Sequence, residues 1–357
     1  MCLQIFICTF AAYNEGFMDL SIIVPVYNVE KYIRPCIESI FKQGLDDTGY
    51  EIIIVNDGTK DRSMEMIADI IKQHNNITVI NQENQGLSVA RNNGIAAAKG
   101  EYILMLDSDD LLVENSVKPI LNKAIETKVD FVVANFLQMS TDEIVAFQNS
   151  PLQQNEELRI VEKTGEQLFM ENVDPHQPYV WRILFRKEFI IQNHLKFYPG
   201  IYVQDKPFFY ESYLKAEKCL ISSRPIHIYR KHTNGVSFCM KDKFAKDYCY
   251  AIGLMWNLSN LNTLKPRIKE KMHDYIYMTV SSLVCRLTHE LKDKNKSIEI
   301  IDYLNTVAPE LRFHHGTKQR LISFLLRYMP HTYIRLRFMY AKYFERKLYP
   351  TLRHYFH

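Results

Sequence analysis

From Leu20 to about Phe136 short runs of apolar, largely β-branched residues alternate with stretches whose apolar positions recur every three or four residues. The first pattern suits buried strands and the second suits amphipathic helices. Strands are predicted at Ser21–Val26, Glu51–Asn56, Ile77–Asn81, Tyr102–Leu106 and Asp130–Phe136. Helical spacing runs over Glu30–Phe41, Asp61–Lys72, Ser88–Ala98 and Asn115–Thr127. This βαβαβαβ order predicts a parallel sheet covered by helices. Residues 137–158 are polar and aperiodic and read as a loop. Residues 167–213 mix aromatic and polar positions, and from Asp242 the spacing is helical throughout. Residues 1–17 add no element such a fold needs, so either Met18 is expected to serve as the functional start or residues 1–17 are expected to be a disordered, non-essential leader.

Open α/β sheets bind ligands at the carboxyl ends of their strands. The residues that follow the predicted strands are Pro25-Val26-Tyr27-Asn28, Asp57-Gly58-Thr59, Gln82 to Leu87 and Asp107-Ser108-Asp109-Asp110. Four strand ends with polar or turn chemistry therefore meet on one rim.

Composition narrows the picture. The 357 residues are 47% hydrophobic and 24% charged, with a formal net charge of +3. That balance is ordinary for a globular protein and argues against a nucleic-acid binder. The charge is uneven, because Lys318, Arg320, Arg327, Arg335, Arg337, Lys342, Arg346, Lys347 and Arg353 face the lone acid Glu345. Peripheral contact with an anionic membrane is the expectation for Leu321–Tyr355, against a helical cap on the catalytic domain. The seven cysteines are scattered without a CxxC pair, as expected of reduced thiols in the cytoplasm. No apolar window is long enough to span a bilayer, and Met1–Ala12 lacks the basic start of a signal peptide.

Asp107-Ser108-Asp109-Asp110 ends an apolar strand. Two carboxylates one residue apart suit a hard divalent cation that also binds phosphate oxygens. The plainer alternative is a helix start, since Ser and Asp cap helices. Asp57 before Gly58 could belong to a hairpin, but helical spacing follows at once, which turns Asp57 to the rim. Asn84-Gln85-Gly86-Leu87-Ser88-Val89-Ala90-Arg91 can bring backbone N–H groups and Arg91 to a ligand. Alternatively Arg91 is a solvated helix residue.

Taken together these blocks resemble the family-2 glycosyltransferases. Ser21 to Asn28 resembles the family's opening strand, Ile53 to Thr59 its second strand and acidic turn, and Gly86 to Gly94 its Gly-x-Ser-x-Ala-Arg-Asn-x-Gly stretch. Lys99 to Ile103 leads into the Asp-Ser-Asp-Asp motif at family spacing. Three positions depart from the pattern: Asn56 stands where Asp is commoner, Ile183 stands where a Lys often follows Trp181, and Gln204 replaces a Glu before Asp205. The resemblance implies an α/β, Rossmann-like GT-A fold over residues 18–238 and a helical, basic C-terminal extension over 239–357. Within the first part it implies a nucleotide half, 18–136, and an acceptor half, 137–238.

It also implies roles. Pro25, Val26 and Tyr27 would border the base of a nucleotide-diphosphate sugar, with uridine the preferred base. Asp57 would accept from a base N–H, and Asn84, Gly86 and Arg91 would complete the pocket with Ser108. Asp107 would sit by the ribose and share Mg²⁺ or Mn²⁺ with Asp109. Ile228 to His232 resembles a basic segment that closes over the diphosphate, with Arg230 and His232 in contact; on the plainer reading these are surface residues. Asp205 would be the general base of an inverting displacement, or else an N-cap before Pro207. The acceptor implied is a saccharide or lipid-linked saccharide, with the work done at the inner face of the cell membrane. Two alternatives remain: a sugar-phosphate nucleotidyltransferase, which would want a glycine loop after the first strand, and a non-catalytic sugar-nucleotide scaffold.

Overall fold

The computed structural model describes residues 18–149, 159–171, 173–174, 177–232, 240–313 and 316–342. Residues 1–17, and the part of the expected membrane-contact region beyond residue 342, lie outside the described residues.

The described chain contains strands β1 (Leu20–Val26), β2 (Tyr50–Asp57), β3 (Ile77–Gln82), β4 (Tyr102–Met105), β5 (Leu111–Leu112), β6 (Phe131–Met139), β7 (Ile160–Lys163), β8 (Ile183–Arg186) and β9 (Cys219–Arg230). Helices α1 (Ile33–Phe41), α2 (Ala68–Gln73), α3 (Leu87–Ala97), α4 (Val117–Thr127), α5 (Thr141–Asn149), α6 (Gly165–Glu171) and α7 (Lys187–Gln192) lie among them. They are followed by α8 (Asp205–Lys215), α9 (Asp242–Ser259), α10 (Pro266–Arg286), α11 (Lys294–Val307), α12 (Gly316–Tyr328) and α13 (Pro330–Tyr340). Two compact units alternate along the chain. One holds residues 18–165, 180–199 and 215–231, and the other residues 166–179, 200–214 and 232 onward.

The first unit is built on one sheet of order β3-β2-β1-β4-β8-β6-β9-β5, with β7 on β9. Strands β3, β2, β1 and β4 are parallel, as the βα alternation predicts. Beyond β4 the sheet is mixed, because β8 runs antiparallel to both β4 and β6. The expected all-parallel sheet is corrected there. Strand β8 comes from a segment too aromatic and irregular to declare its direction by spacing.

Every residue of β1 is buried, which fits a central parallel strand covered on both faces. Pro25 is tolerated in it for a local reason. The Ile23 carbonyl accepts from the Leu106 N–H on the β4 side. Residues i and i+2 of a strand face the same neighbour, so the N–H that Pro25 lacks would point past the end of β4. On one face Ile22, Val24 and Leu104 pack with Ile37 and Ile40 of α1 and with Ile120 and Leu121 of α4. On the other, α3 approaches β1 so closely that a Cβ on Gly94 would lie 2.3 Å from Ile23 Cγ2.

The aperiodic reading of residues 137–158 is also corrected. Strand β6 continues to Met139, and α5 opens with a reciprocal pair in which the Ser140 N–H donates to Glu143 Oε2 at 2.6 Å and the Glu143 N–H donates to Ser140 Oγ at 3.3 Å. Ser140-Thr141-Asp142-Glu143 is a capping box, a signal present in the sequence before this helix. Those bonds to the Ser140 backbone and hydroxyl hold the Glu143 carboxyl below its ordinary range.

From Asp242 the described residues of the second unit are helical, as the spacing predicts. Gly253 of α9 lets the backbone of α11 approach, since a Cβ there would lie 2.8 Å from the Val307 carbonyl. Asp293 caps α11 by accepting from the N–H groups of Asn295 and Lys296. A buried pair, Arg286–Glu290 at 3.0 Å, closes the end of α10, with the Arg286 guanidinium over the Phe244 ring.

Gly94→Ala is expected to force α3 off β1 and to lower stability by about 1–3 kcal/mol, the usual penalty for overpacking a core. Urea unfolding checks this; an unchanged midpoint would contradict the close approach.

Candidate active site

The carboxyl ends of β1, β2, β3 and β4 carry an interlocked set of side chains within the first unit. Where β1 ends, Asn28 adopts a left-handed φ of 54°, a conformation asparagine tolerates better than most residues. Its N–H donates to Thr59 Oγ1 at 2.8 Å, and its Oδ1 accepts from the Lys60 N–H at 3.2 Å. Asp61 ties the same two turns together, accepting from the Glu30 N–H, the Ser63 N–H and hydroxyl, and the Thr59 hydroxyl. Partial burial pulls the Asp61 pKa upward, but these hydrogen bonds outweigh it and bring the carboxyl down to about 2. Pro25 and Val26 are buried beneath this knot, and Tyr27 is 43% exposed at its edge.

Asp57, at the end of β2, is buried and organises the next loop. Its Oδ1 accepts from Gln82 Nε2 at 2.8 Å and the Gln85 N–H at 2.8 Å, and its Oδ2 accepts from the Gly86 N–H at 2.9 Å. The Asn84 amide donates to the Asp57 carbonyl at 3.1 Å. A carboxylate has about four lone-pair sites, so three internal donors leave one acceptor site, on Oδ2. Gly86 supplies the positive φ of 86° that lets its N–H face Asp57 while the chain turns into α3. Asn56, the departure from the commoner Asp, donates to Asn81 Oδ1 at 2.9 Å and accepts from the Thr59 N–H at 3.0 Å.

Arg91 projects from α3 with none of its side chain exposed, so the solvated-helix reading is excluded. It donates to Asp107 Oδ1 at 2.7 Å, and its guanidinium lies 5.2 Å from the centre of the Phe197 ring. The next residue, Asn92, clamps the Phe197 backbone, donating to its carbonyl at 2.8 Å and accepting from its N–H at 3.0 Å. Phe197 was not a site candidate in the sequence; contact between residues 105 positions apart leaves no local signal.

The Asp107–Asp110 segment is a turn, closed by the Asp110 N–H on the Asp107 carbonyl at 3.0 Å, and it runs into β5. No helix starts there, which corrects the capping alternative. The acids differ in use. Asp107 is a quarter exposed and paired with Arg91, Asp109 is half-buried, and Ser108 is buried between them. Asp110 is buried against β9, where its Oδ2 lies 2.8 Å from His227 Nε2 and its Oδ1 accepts from the Arg230 N–H at 2.7 Å. Burial pushes its carboxyl up to about 6 despite the His227 contact, and the Asp109 and Asp107 charges add to the rise. His227 is itself fully buried and stacked on Trp181, with ring centres 4.1 Å apart. Arg230 is buried as well, correcting its surface reading: Nε donates to the Asp109 carbonyl at 2.8 Å and the guanidinium lies over Tyr32.

Asp205 and His232 belong to the second unit. Asp205 is half-buried and is the first helical residue of α8, with Pro207 two positions on, so its carboxylate sits in the first turn of that helix. His232 is half-buried after the end of β9.

Asp109 and Asp107 are the carboxylates suited to a divalent cation. No group of three His, Cys, Asp or Glu gathers at metal-binding distances among the described residues. Two carboxylates at a rim fit a cation that takes its remaining ligands from phosphate oxygens and water, as Mg²⁺ commonly does.

The chain resembles known proteins in sequence and in fold. Residues 21–189 match the sequence profile described as glycosyl transferase family 2. The chain is 38% identical over 219 residues to the uncharacterized glycosyltransferase EpsJ of Bacillus subtilis, covering 61% of this chain and 62% of EpsJ. It is 29% identical to the glycosyltransferase GlyG of Streptococcus pneumoniae, covering 78% of this chain and 89% of GlyG. The match thus spans about three-fifths of EpsJ's own length. Among solved structures, S. aureus TarS 1-349 superposes with a TM-score of 0.71 at 19% identity, covering 91% of each chain, and that protein has also been solved in complex with UDP-GlcNAc. The shared fold is the mixed α/β GT-A arrangement with C-terminal helices.

Asp61 stabilises the fold fully above about pH 3.8, and that contribution is lost as pH falls through its folded value of about 2. A carboxyl-detected NMR titration is expected to place its midpoint near 2. Asp61→Asn should make acid unfolding less steep between pH 4 and 2; an ordinary midpoint would refute the hydrogen-bond account.

Proposed function

We propose that the chain is a member of glycosyl transferase family 2, whose profile residues 21–189 match, and that it is an inverting glycosyltransferase using a nucleotide-diphosphate sugar, with UDP the preferred nucleotide. The observation that carries this reading is the Arg91–Asp107 pair beside the Asp57-ordered loop on the carboxyl rim of four parallel strands. An open α/β sheet binds nucleotides at that rim. The UDP-GlcNAc complex of TarS supports a uridine donor on the same fold. The donor sugar proposed is a hexose or N-acetylhexosamine. The acceptor proposed is a saccharide or lipid-linked saccharide, for cell-surface polysaccharide synthesis at the inner face of the membrane.

In this reading Pro25, Val26 and Tyr27 border the base, and the remaining acceptor site on Asp57 Oδ2 is available to a base N–H. Asn84 and Gly86 shape the loop beside it. Asp107, its charge balanced by Arg91, faces the ribose, with Ser108 behind it. Asp109 with Asp107 would hold Mg²⁺ or Mn²⁺, whose charge offsets that of the diphosphate. Arg230 supplies a basic group toward the same diphosphate, which its hydrogen bond to the Asp109 carbonyl supports, and the family resemblance implies a like role for His232.

Asp205 is the proposed general base. The acceptor oxygen bonds to the anomeric carbon while the bond from that carbon to the diphosphate oxygen breaks. The hydroxyl proton goes to the Asp205 carboxylate, and the configuration inverts. Asn56 makes two hydrogen bonds with its neighbours, so this departure from the family pattern is accommodated structurally and does not favour a non-catalytic scaffold.

Screening nucleotide sugars with Mn²⁺ for diphosphate release tests the reading. At least one donor is expected to release diphosphate, and Asp109→Ala should abolish both turnover and metal-dependent donor binding with the fold intact by circular dichroism. Release from no donor would favour a scaffold, and full activity of Asp109→Ala would remove the metal assignment. Asp205→Asn keeps a similar shape but cannot take the proton, so kcat should fall by about two to four orders of magnitude with donor affinity nearly unchanged. Near-normal kcat would move the base elsewhere, with Glu211 and Asp174 the next variants.

A further inference from the structure

Helix α12 carries apolar side chains on two opposite faces. Leu326 is buried, as is Ser323, whose hydroxyl accepts from the Phe313 N–H. On the other side Leu321, Phe324 and Tyr328 are 57%, 52% and 61% exposed. At 100° per residue these three fall within one narrow stripe, about 180° from the buried positions. Helix α13 buries Tyr333 and Ile334 and exposes Leu336 and Met339, which lie about 60° apart on the side away from them, while the exposed Tyr340 lies beside Tyr333. Met329, between the helices, is exposed too. Isolated surface apolar residues need no explanation, but exposed apolar side chains gathered on two successive helices do.

Charge indicates what covers them. Between Gly316 and Lys342 the sequence has six cations, Lys318, Arg320, Arg327, Arg335, Arg337 and Lys342, and no acid. On α12 they flank the stripe, with Lys318 on one side and Arg320 and Arg327 on the other. The Arg327 guanidinium lies 5.6 Å from the Tyr328 ring centre, and Arg337 lies at the same distance from Tyr340. A protein partner of ordinary composition explains the apolar stripe but not the excess of cations over acids along these two helices. A second copy would bring cations against cations. An anionic bilayer answers both, since acyl chains take the apolar side chains and headgroup phosphates take the cations. None of the described helices is long and apolar enough to cross a membrane, and interfacial contact does not require one.

We infer that α12 and α13 form an interfacial surface that seats the protein on an anionic lipid bilayer through Leu321, Phe324, Leu336 and Met339, bordered by Lys318 and Arg335. This deepens the proposed function, resting on it only for the benefit of docking beside a lipid-linked acceptor; the binding itself requires no transfer reaction.

Co-sedimentation of the full chain with vesicles of phosphatidylglycerol and phosphatidylcholine, and with vesicles of phosphatidylcholine alone, tests the inference. The wild type is expected to bind the anionic vesicles at least tenfold more strongly and to release as salt rises. Two exposed-surface variants, Phe324→Ser with Leu336→Ser and Met339→Ser, and Lys318→Glu with Arg335→Glu, should each lose at least tenfold of that binding. Donor hydrolysis is measured in parallel and should stay at the wild-type rate, so vesicle binding without any hydrolysis would sink the transferase reading and leave the docking surface standing. Absence of wild-type binding, or variants that bind as the wild type does, overturns the inference. So does a wild-type dimer that the apolar variant makes monomeric without any vesicle binding, which would assign the stripes to a contact between copies.

Discussion

A guanidinium with no exposed surface is costly unless a carboxylate lies within reach, because an unpaired buried charge carries a desolvation penalty of several kcal/mol. Arg91 meets that condition through Asp107, and the pair joins two elements distant along the chain: helix α3 and the turn after β4. Helix α3 reaches the right depth because Gly94 lets it rest directly on Ile23 of β1. The turn is at the right height because β4 is in parallel register with β1, Ile23 opposite Met105. Phe197 completes the environment, its ring near the guanidinium and its backbone held by Asn92. The rim's electrostatics thus depend on one pairing, which offsets the Asp107 charge where a phosphorylated ligand would approach.

The acids around this pair divide the remaining work. Asp57 spends three acceptor sites ordering the loop that leads into α3. Asp61 knots the turns after β1 and β2. Asp110 anchors the Asp107–Asp110 turn to β9 through His227 and the Arg230 backbone. Asp107, paired with Arg91, is a quarter exposed, and Asp109 is half-buried, so the acids of this turn differ in burial and in partner. A run of three acids that looks uniform in one dimension is therefore split by burial into one anchor and two candidate ligands.

The pattern of apolar residues determined a good deal by itself. The four parallel strands, the helices between them and the rim where polar residues gather follow from periods of two and 3.6, which are local properties. The family resemblance likewise rests on contiguous blocks such as Ser21 to Asn28 and Gly86 to Gly94. The capping box that opens α5 was legible too, although the polarity of residues 137–158 pointed to a loop. Only tertiary structure decided the direction of β8, since strand orientation depends on which edge is open when the segment arrives. It alone separated Asp110 from its neighbours, because His227 lies 117 positions away, and turned Arg91 and Arg230 from surface candidates into buried anchors. It alone showed that Leu321, Phe324, Leu336 and Met339 face outward, since an apolar stripe reads identically whether or not the fold covers it. Periodicity is written in neighbouring residues, whereas burial and charge pairing arise between residues that meet only when the chain has folded.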